Sequence, residues 1–515
     1  VNINDQKNSF FRSKAEELEL KLMDSELLFE RWLMGLDAGN LKILDKKNFN
    51  RLSGIVPGIK FYFKYISEKK KYTLALSEEK IINRKNINLK VPLLKMYEML
   101  LGDFKFTLKT GGKIRTINTQ DELLFYVKHP DPKFRKAAYR ALFKPYKENI
   151  NKIFTLYSAV VKDWNDDMKT RSYKSPISLR NFENFIDDKI VNTLIDVCTD
   201  NRMVYQEYFR QKAKMLKMKK IRRYDIYAPL KKSARTYSFS QSKKLILDIF
   251  SEFHPEFSKK AGLFYKEGHI DSHSRQNKIS GAFCSPVNPK HVPYILLNFN
   301  GSIDSVMTAA HELGHGIHSL YSKNLSVLVQ AEPLPLAETA STFCEMLLFE
   351  KMLKDIKDDN ERTALIFQKI AESYSTVMRQ NYFVKFEKIA HEKIRDGITA
   401  NELCDIYFST LEEQFGDSMT IPEEFKYEWA YINHMFHTPF YCYAYNFGEL
   451  LSMSIYALYK KEGKAFIPKL EKILSSGGSE STETILKNIG IDIRQKSFWQ
   501  GSFNLIKEWL NNLRV

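Results

Sequence analysis

Two imidazoles and a carboxylate stand at helical spacing in His311-Glu312-Leu313-Gly314-His315. Residues four apart share one face of a helix, so both rings can reach a single ion at about 2.0–2.1 Å, the distance zinc takes to nitrogen. Glu312 follows the first ligand and can stand beside the ion without binding it. A general base for a metal-activated water belongs there. With 11 histidines in 515 residues, such a pentapeptide arises by chance in about one chain of this size in a hundred. Taken alone it also reads as a pair of core histidines.

Hydrolytic zinc needs three protein ligands and one open position, so a further carboxylate is expected on a neighbouring helix. The segment PLAETASTFCE, residues 335–345, offers two. Glu338 lies among small and apolar residues, where an unpaired carboxylate is costly to bury; its other reading is a helix-start acid favoured by the dipole. Glu345 is two turns further along the same face and could hold a ligating imidazole from behind. His318, three residues after His315, reads as a core or surface histidine. Near the C-terminal end, residues 433–445 (NHMFHTPFYCYAY) are dense in polar aromatics. If Pro439 starts a helix, Tyr441 and Tyr445 share a face and Tyr443 points away. Phenols and an imidazole there could donate hydrogen bonds to a tetrahedral oxyanion, or they could be aromatic core.

The elements that must position these groups read as mainly α. Residues 9–34 carry apolar side chains at three- and four-residue spacing, and helix-length pieces continue from Leu44 to Leu101 with breaks at Pro57-Gly58 and before Pro92. Residues 104–117 (FKFTLKTGGKIRTI) alternate around Gly111-Gly112 and predict a β-hairpin with a two-residue turn. Thr119 to Glu122 then caps a long helical stretch through Trp164. A second island of strand character covers residues 279–299, just ahead of the histidine motif, and Ser475 to Ser479 reads as a tight interhelical loop. No internal repeat is visible.

Composition narrows the classes. Hydrophobic residues make up 43% and aromatics 13%, enough for a sizeable core. No apolar run reaches the ~18–20 residues of a membrane span. Lys+Arg 79 against Asp+Glu 62 gives +17, which suits an acidic partner such as nucleic acid or simply a Lys-rich composition. The densest basic run, residues 212–223, reads as a solvated helix leading into a strand. Five scattered cysteines without a CxxC pair form neither a disulfide framework nor a thiolate zinc site, and they suit a reducing compartment. The polar N-terminus lacks an apolar signal core, so the cytoplasm is expected; the chain opens on Val, which leaves room for an upstream segment.

The ordered motifs HELGHGIH, PLAETASTFCE and HMFHTPFYCYAY resemble the thimet oligopeptidase family of zinc metallopeptidases, in particular its oligoendopeptidase F branch. YDIYAPL at 224–230, residues 268–271 and 278–284, PYILLNFNG, and the closing GGS followed by Gly490-Ile491-Asp492 add to the likeness. It runs from about Thr119 to the C-terminus, with a weaker match around residues 40–115. The resemblance implies a large helical bowl- or clam-like body with a deep channel, a small β-sheet beside the zinc, and internal cleavage of short unstructured peptides. It implies an N-terminal helical segment over 1–39, an oligoendopeptidase-type helical region with hairpin over 40–118 and a catalytic domain over 119–515. By the same resemblance His311, His315 and Glu338 bind one zinc per chain, Glu312 is the base, and His434 stabilises the transition state. The phenols are harder to assign: Tyr441 and Tyr445 are preferred, with Tyr443 and His437 in reserve. The strand over residues 279–299 would pair with substrate backbone. Phe283-Cys284 departs from the branch, which often has a Tyr there, and this bears on subsites rather than on metal chemistry.

Three other readings compete. A helical HExxH metallocarboxypeptidase needs a cation for the substrate C-terminus. A non-catalytic peptide binder has no use for Glu312 between two ligands. A nucleic-acid binder should show a recognised binding motif, and none is present.

Overall fold

Helices carry most of the described chain, and its strands are confined to three small sheets. The computed structural model describes residue 14 and residues 25–55, 58–230, 235–276 and 278–513. Most of the helix expected over 9–34 therefore lies outside the described residues, as does Pro57; residues 25–33 are helical. The chain divides into two compact units that interleave along the sequence. One comprises Val1–Lys80, Ala234–Asp355 and Leu451–Ile493, the other Ile81–Ser233, Ile356–Leu450 and Arg494–Val515.

In the first unit the histidine motif sits in the helix Ile303–Tyr321. Ser302 caps it by accepting from the Ser305 N–H, and Asp304 in the first turn complements the helix dipole. Ile303, Val306, Ala310, Leu313, Ile317 and Leu320 recur at three- and four-residue spacing and are all buried, so one stripe holds the helix in the core while the neighbouring stripe carries His311 and His315. The helix Glu338–Asp355 packs beside it. Phe343 of that helix meets Phe253 and Tyr456 at centroid distances of 5.3 Å each. Beside the motif helix lies a three-stranded sheet. Tyr294–Phe299 is its central strand, flanked by Ile270–His273 in parallel and Phe283–Ser285 antiparallel.

The expected single strand over 279–299 is thus two strands, and the outer strand Ile270–His273 escaped a reading based on apolar runs because IDSH is mostly polar. Lys278 replaces what the sequence lacks in apolar signal. Its buried Nζ donates to the carbonyls of Asp271, His273 and Leu297 at 2.9, 3.0 and 2.5 Å, tying the outer strand to the central one. The loop around Gly477-Gly478 joins two helices as expected. A Cβ at these glycines would stand 2.6 Å from the Gln330 and Ala331 carbonyl oxygens.

In the second unit the hairpin pairs Phe106–Thr110 with Lys113–Ile117, Thr110 opposite Lys113. Both turn glycines have positive φ, as a two-residue turn of this hand requires. Thr119 caps as expected, accepting from the Glu122 N–H, but the stretch beyond it is three helices, Gln120–Val127, Pro132–Glu148 and Ile150–Thr170. Two prolines in His129-Pro130-Asp131-Pro132 push the residue before each out of helical geometry, and Asp131 then caps the second helix. The expected break before Pro92 is instead a π-turn, Asn86–Lys90, running into the helix Val91–Gly102. Pro92 falls in the first turn, where its missing N–H costs nothing.

The basic run 212–223 is solvated at Lys214, Lys217, Lys219 and Lys220 and leads into the strand Ile221–Arg222 as expected, but the cations at its two ends are buried. Lys212 is buried and donates to the Ile226 carbonyl at 2.6 Å, burial pushing its ammonium down to about 7. Arg223 is buried too, its Nη2 2.8 Å from Glu428 Oε1. Arg379 Nη2 and the Tyr407 hydroxyl, each at 3.0 Å, complete the Glu428 carboxylate. Removing one partner of such a pair costs about 3–5 kcal/mol because a buried charge is left alone, so this knot fixes the segment Glu423–Tyr431 that leads into His434.

Candidate active site

Glu338 is the first residue of its helix, and its Oε2 lies 3.3 Å from His311 Nε2 and 3.5 Å from His315 Nε2. The ligand atoms of these three side chains all fall within 4.8 Å of one another. Among the described residues, they form the one such group of three or more His, Cys, Asp or Glu. Two nitrogens and a carboxylate oxygen are a donor set that zinc takes. On the far side of His311, Nδ1 lies 3.3 Å from Glu345 Oε2. An N–H donated from Nδ1 to that carboxylate leaves Nε2 as the free lone pair for a metal. The surroundings favour a cation. Burial opposes charge on His311, yet Glu338 and Glu345 outweigh it and push its pKa up to about 10. Burial would likewise raise Glu338, but the hydrogen bond and charge of His311 hold it at about 2. The residues present fit a zinc ion.

Glu312 is buried beside this group, and its Oε2 has no hydrogen-bond partner. Burial pushes its carboxyl up to about 7, with the Glu338 charge adding to the rise while His311 and the Cys284 N–H oppose it. The edge strand Phe283–Ser285 therefore touches Glu312 through its own backbone, and the Phe283 side chain is exposed. His318 is fully buried, without a hydrogen-bond partner on either ring nitrogen, and does not join the ligand group.

Glycine in the motif has a function that its spacing alone does not reveal. A Cβ at Gly314 would stand 2.5 Å from Ser341 Cα and 2.6 Å from the Ala340 carbonyl oxygen. The two helices cross backbone to backbone at this point, which brings the first turn of one within reach of the imidazoles of the other. Gly314→Ala gains about 0.5–1 kcal/mol of helix propensity but must force rigid backbone apart, costing about 1–3 kcal/mol. We expect a lower Tm together with weaker zinc retention; a variant matching wild type in thermal unfolding and metal content would refute the close-crossing role. The clue in sequence was a glycine placed inside a helix interior, where it is costly without a packing reason.

The second unit gathers the polar aromatics. The Tyr445 hydroxyl and His434 Nε2 are 3.0 Å apart. The Tyr441 ring stacks on His434 at 5.7 Å and meets Tyr445 edge-on at 5.3 Å. Pro439 does not start the helix. The left-handed Phe440, φ 60, delays it to Tyr443–Glu462, so Tyr441 reaches the cluster from a turn. The reserve candidates are drawn elsewhere: the Tyr443 hydroxyl accepts from Asn184 at 2.7 Å, and His437 Nε2 lies 3.6 Å from Glu98. Tyr97, not singled out from sequence, donates to the Ala430 carbonyl or to Asn433 Oδ1, each at 3.0 Å, and stacks on Phe436 at 3.9 Å.

A helical fold bearing HExxH and a downstream glutamate that meets both histidines defines a metallopeptidase. The model described as Peptidase family M3 matches residues 125–505, and the chain belongs to that family, as the motifs predicted. It is 30% identical over 467 residues to "Oligoendopeptidase F homolog" of Borreliella burgdorferi, covering 87% of this chain and 76% of that protein. It is 26% identical over 408 residues to "Oligopeptidase PepF" of Bacillus subtilis, covering 77% of this chain but 59% of that one. The backbone superposes on a solved structure from Chlamydophila abortus with a TM-score of 0.88 at 25% identity, covering 99% of this chain and 85% of that one. With oligoendopeptidase-F from Enterococcus faecium the TM-score is 0.76 at 20% identity over 99% and 86%, a likeness of fold.

Proposed function

We propose that this chain is a zinc-dependent endopeptidase that hydrolyses internal bonds of short unstructured peptides, holding one zinc through His311, His315 and Glu338. The observation that carries the reading is the convergence of those three ligand atoms within 4.8 Å beside a buried carboxylate with an unpartnered oxygen. A bound zinc supplies Lewis acidity, polarising the scissile carbonyl and bringing the pKa of water toward ~7. Glu312 accepts the proton of the attacking water and passes it to the leaving nitrogen; a carboxyl poised near neutrality suits both transfers. His434, with Tyr441 and Tyr445, donates hydrogen bonds to the developing oxyanion. That assignment is supported by the family motif and by their clustering. Substrate adds as a strand to the edge Phe283–Ser285, and the exposed Phe283 contributes to a subsite. The five free cysteines favour a reducing, cytoplasmic setting. Among the described residues no helix is long and apolar enough to cross a membrane.

Strand addition requires an extended substrate, and unfolding even a marginal domain costs ~5–15 kcal/mol, more than a few subsites return. The purified protein should cut a peptide of about a dozen residues internally and leave the same sequence intact inside a stably folded host. Chelator should abolish cleavage and added zinc restore it. Equal rates on both substrates would contradict the extended-substrate reading, and release of single C-terminal residues would favour a carboxypeptidase.

A further inference from the structure

The peptide group joining Pro439 to Phe440 is gripped at both polar ends. Its carbonyl oxygen accepts from Arg180 Nε at 3.0 Å, and its N–H donates to Glu387 Oε1 at 2.8 Å. The two side chains come from different helices, Pro176–Glu183 and Arg379–Asp396. Arg180 is itself held by Glu183 at 2.5 Å and lies over the Trp164 ring at 5.3 Å. Glu387 is fully buried.

This peptide is the hinge of the turn that assembles the aromatic cluster. Phe440 occupies the left-handed region at φ 60, which costs a non-glycine residue about 1–2 kcal/mol. It lies in the connection between Asn433–His437 and Tyr443–Glu462, and that connection brings Tyr441 and Tyr445 back to His434. Counter-rotation of ψ at Pro439 and φ at Phe440 swings the peptide plane with little movement of the chain on either side, so it is the soft coordinate of the turn. A donor on the C=O and an acceptor on the N–H remove that freedom. They also satisfy a buried peptide group that would otherwise cost about 1–3 kcal/mol. The Phe440 ring, against His391 at 4.5 Å, locks the residue from the other side.

We propose that Arg180 and Glu387 are positioning residues, which fix the plane of the Pro439–Phe440 peptide and so set Tyr441 and Tyr445 against His434. The inference rests on the reading of that cluster as the oxyanion donors. Burial pushes the Glu387 carboxyl up to about 8, and a neutral acid accepts an N–H as a Gln amide does, so Gln is the conservative replacement.

The test compares Glu387→Ala, Glu387→Gln and Arg180→Ala in the full zinc-loaded chain on an unstructured peptide. A misplacement of about 1 Å in a catalytic group costs on the order of 10²-fold. Glu387→Ala and Arg180→Ala are therefore expected to lower kcat by about 10- to 100-fold, with KM and zinc content nearly unchanged, whereas Glu387→Gln stays close to wild type. On a Tyr445→Phe background the loss from Glu387→Ala should largely vanish, because the two changes act on one interaction. Wild-type kcat in Glu387→Ala, or the same loss with and without Tyr445→Phe, overturns the proposal. Should Glu387→Ala not fold, Arg180→Ala with Glu387→Gln decides by the same criteria. If Tyr441→Phe and Tyr445→Phe themselves leave kcat unchanged, the oxyanion reading fails and nothing remains to be positioned. If they lower it while the Arg180 and Glu387 variants do not, only the positioning inference falls.

Discussion

Glu312→Gln is expected to lower kcat by about 10²–10⁴-fold, the range of a lost general base, while the fold and the zinc content stay as in wild type. The side chain is buried, so replacement must be near-isosteric to spare packing, and Gln preserves an acceptor for the Cys284 N–H. What Gln cannot do is accept and return a proton. Glu312 is also absent from the group of converging ligand atoms, so metal affinity should not follow activity. The check is kcat on an unstructured peptide alongside metal analysis of the same preparation. Activity within a few-fold of wild type would remove Glu312 from the mechanism, and loss of zinc in step with activity would make it a ligand.

Glu338 and Glu345 should separate by metal affinity. Glu338 Oε2 lies between both Nε2 atoms, whereas Glu345 reaches only Nδ1 of His311. Glu345→Ala removes an orienting partner and should weaken zinc by about 10- to 100-fold. Glu338→Ala removes the carboxylate proposed as a ligand and should exceed the upper end of that range. It leaves the helix start otherwise held, since the Ser452 hydroxyl donates to the Glu338 carbonyl at 2.7 Å irrespective of the side chain. Titration against a competing chelator ranks the two, and the reverse order would exchange their roles.

The aromatic cluster shows how far a local pattern carries. Helical spacing grouped Tyr441 with Tyr445 and excluded Tyr443, and the structure groups them so. Yet the helix assumed to start at Pro439 begins four residues later, because Phe440 is left-handed. Propensity does not foresee a strained phenylalanine; the side chains that hold its peptide, Arg180 and Glu387, both lie more than fifty residues upstream in the sequence. The sheet gives the same lesson. An apolar run marked Tyr294–Phe299, whose inner residues are buried, but not Ile270–His273, which is held by backbone pairing and by Lys278 rather than by apolar burial.

By itself the sequence determined the helical class, the histidine pair, the order of motifs and, through that order, the family, because spacings within a helical turn or two mark each element and each motif. Tertiary structure alone decided why Gly314 must lack a side chain, that Ile270–His273 joins the sheet, that the edge strand Phe283–Ser285 meets Glu312, and what holds the turn at Phe440. Those answers depend on the approach of backbone segments far apart in the chain: Ala340-Ser341 against Gly314, Phe283–Ser285 beside Glu312, Arg180 and Glu387 on one peptide of the turn. A periodicity specifies which face of an element is apolar; how closely that face meets another is set by the close packing of the whole unit.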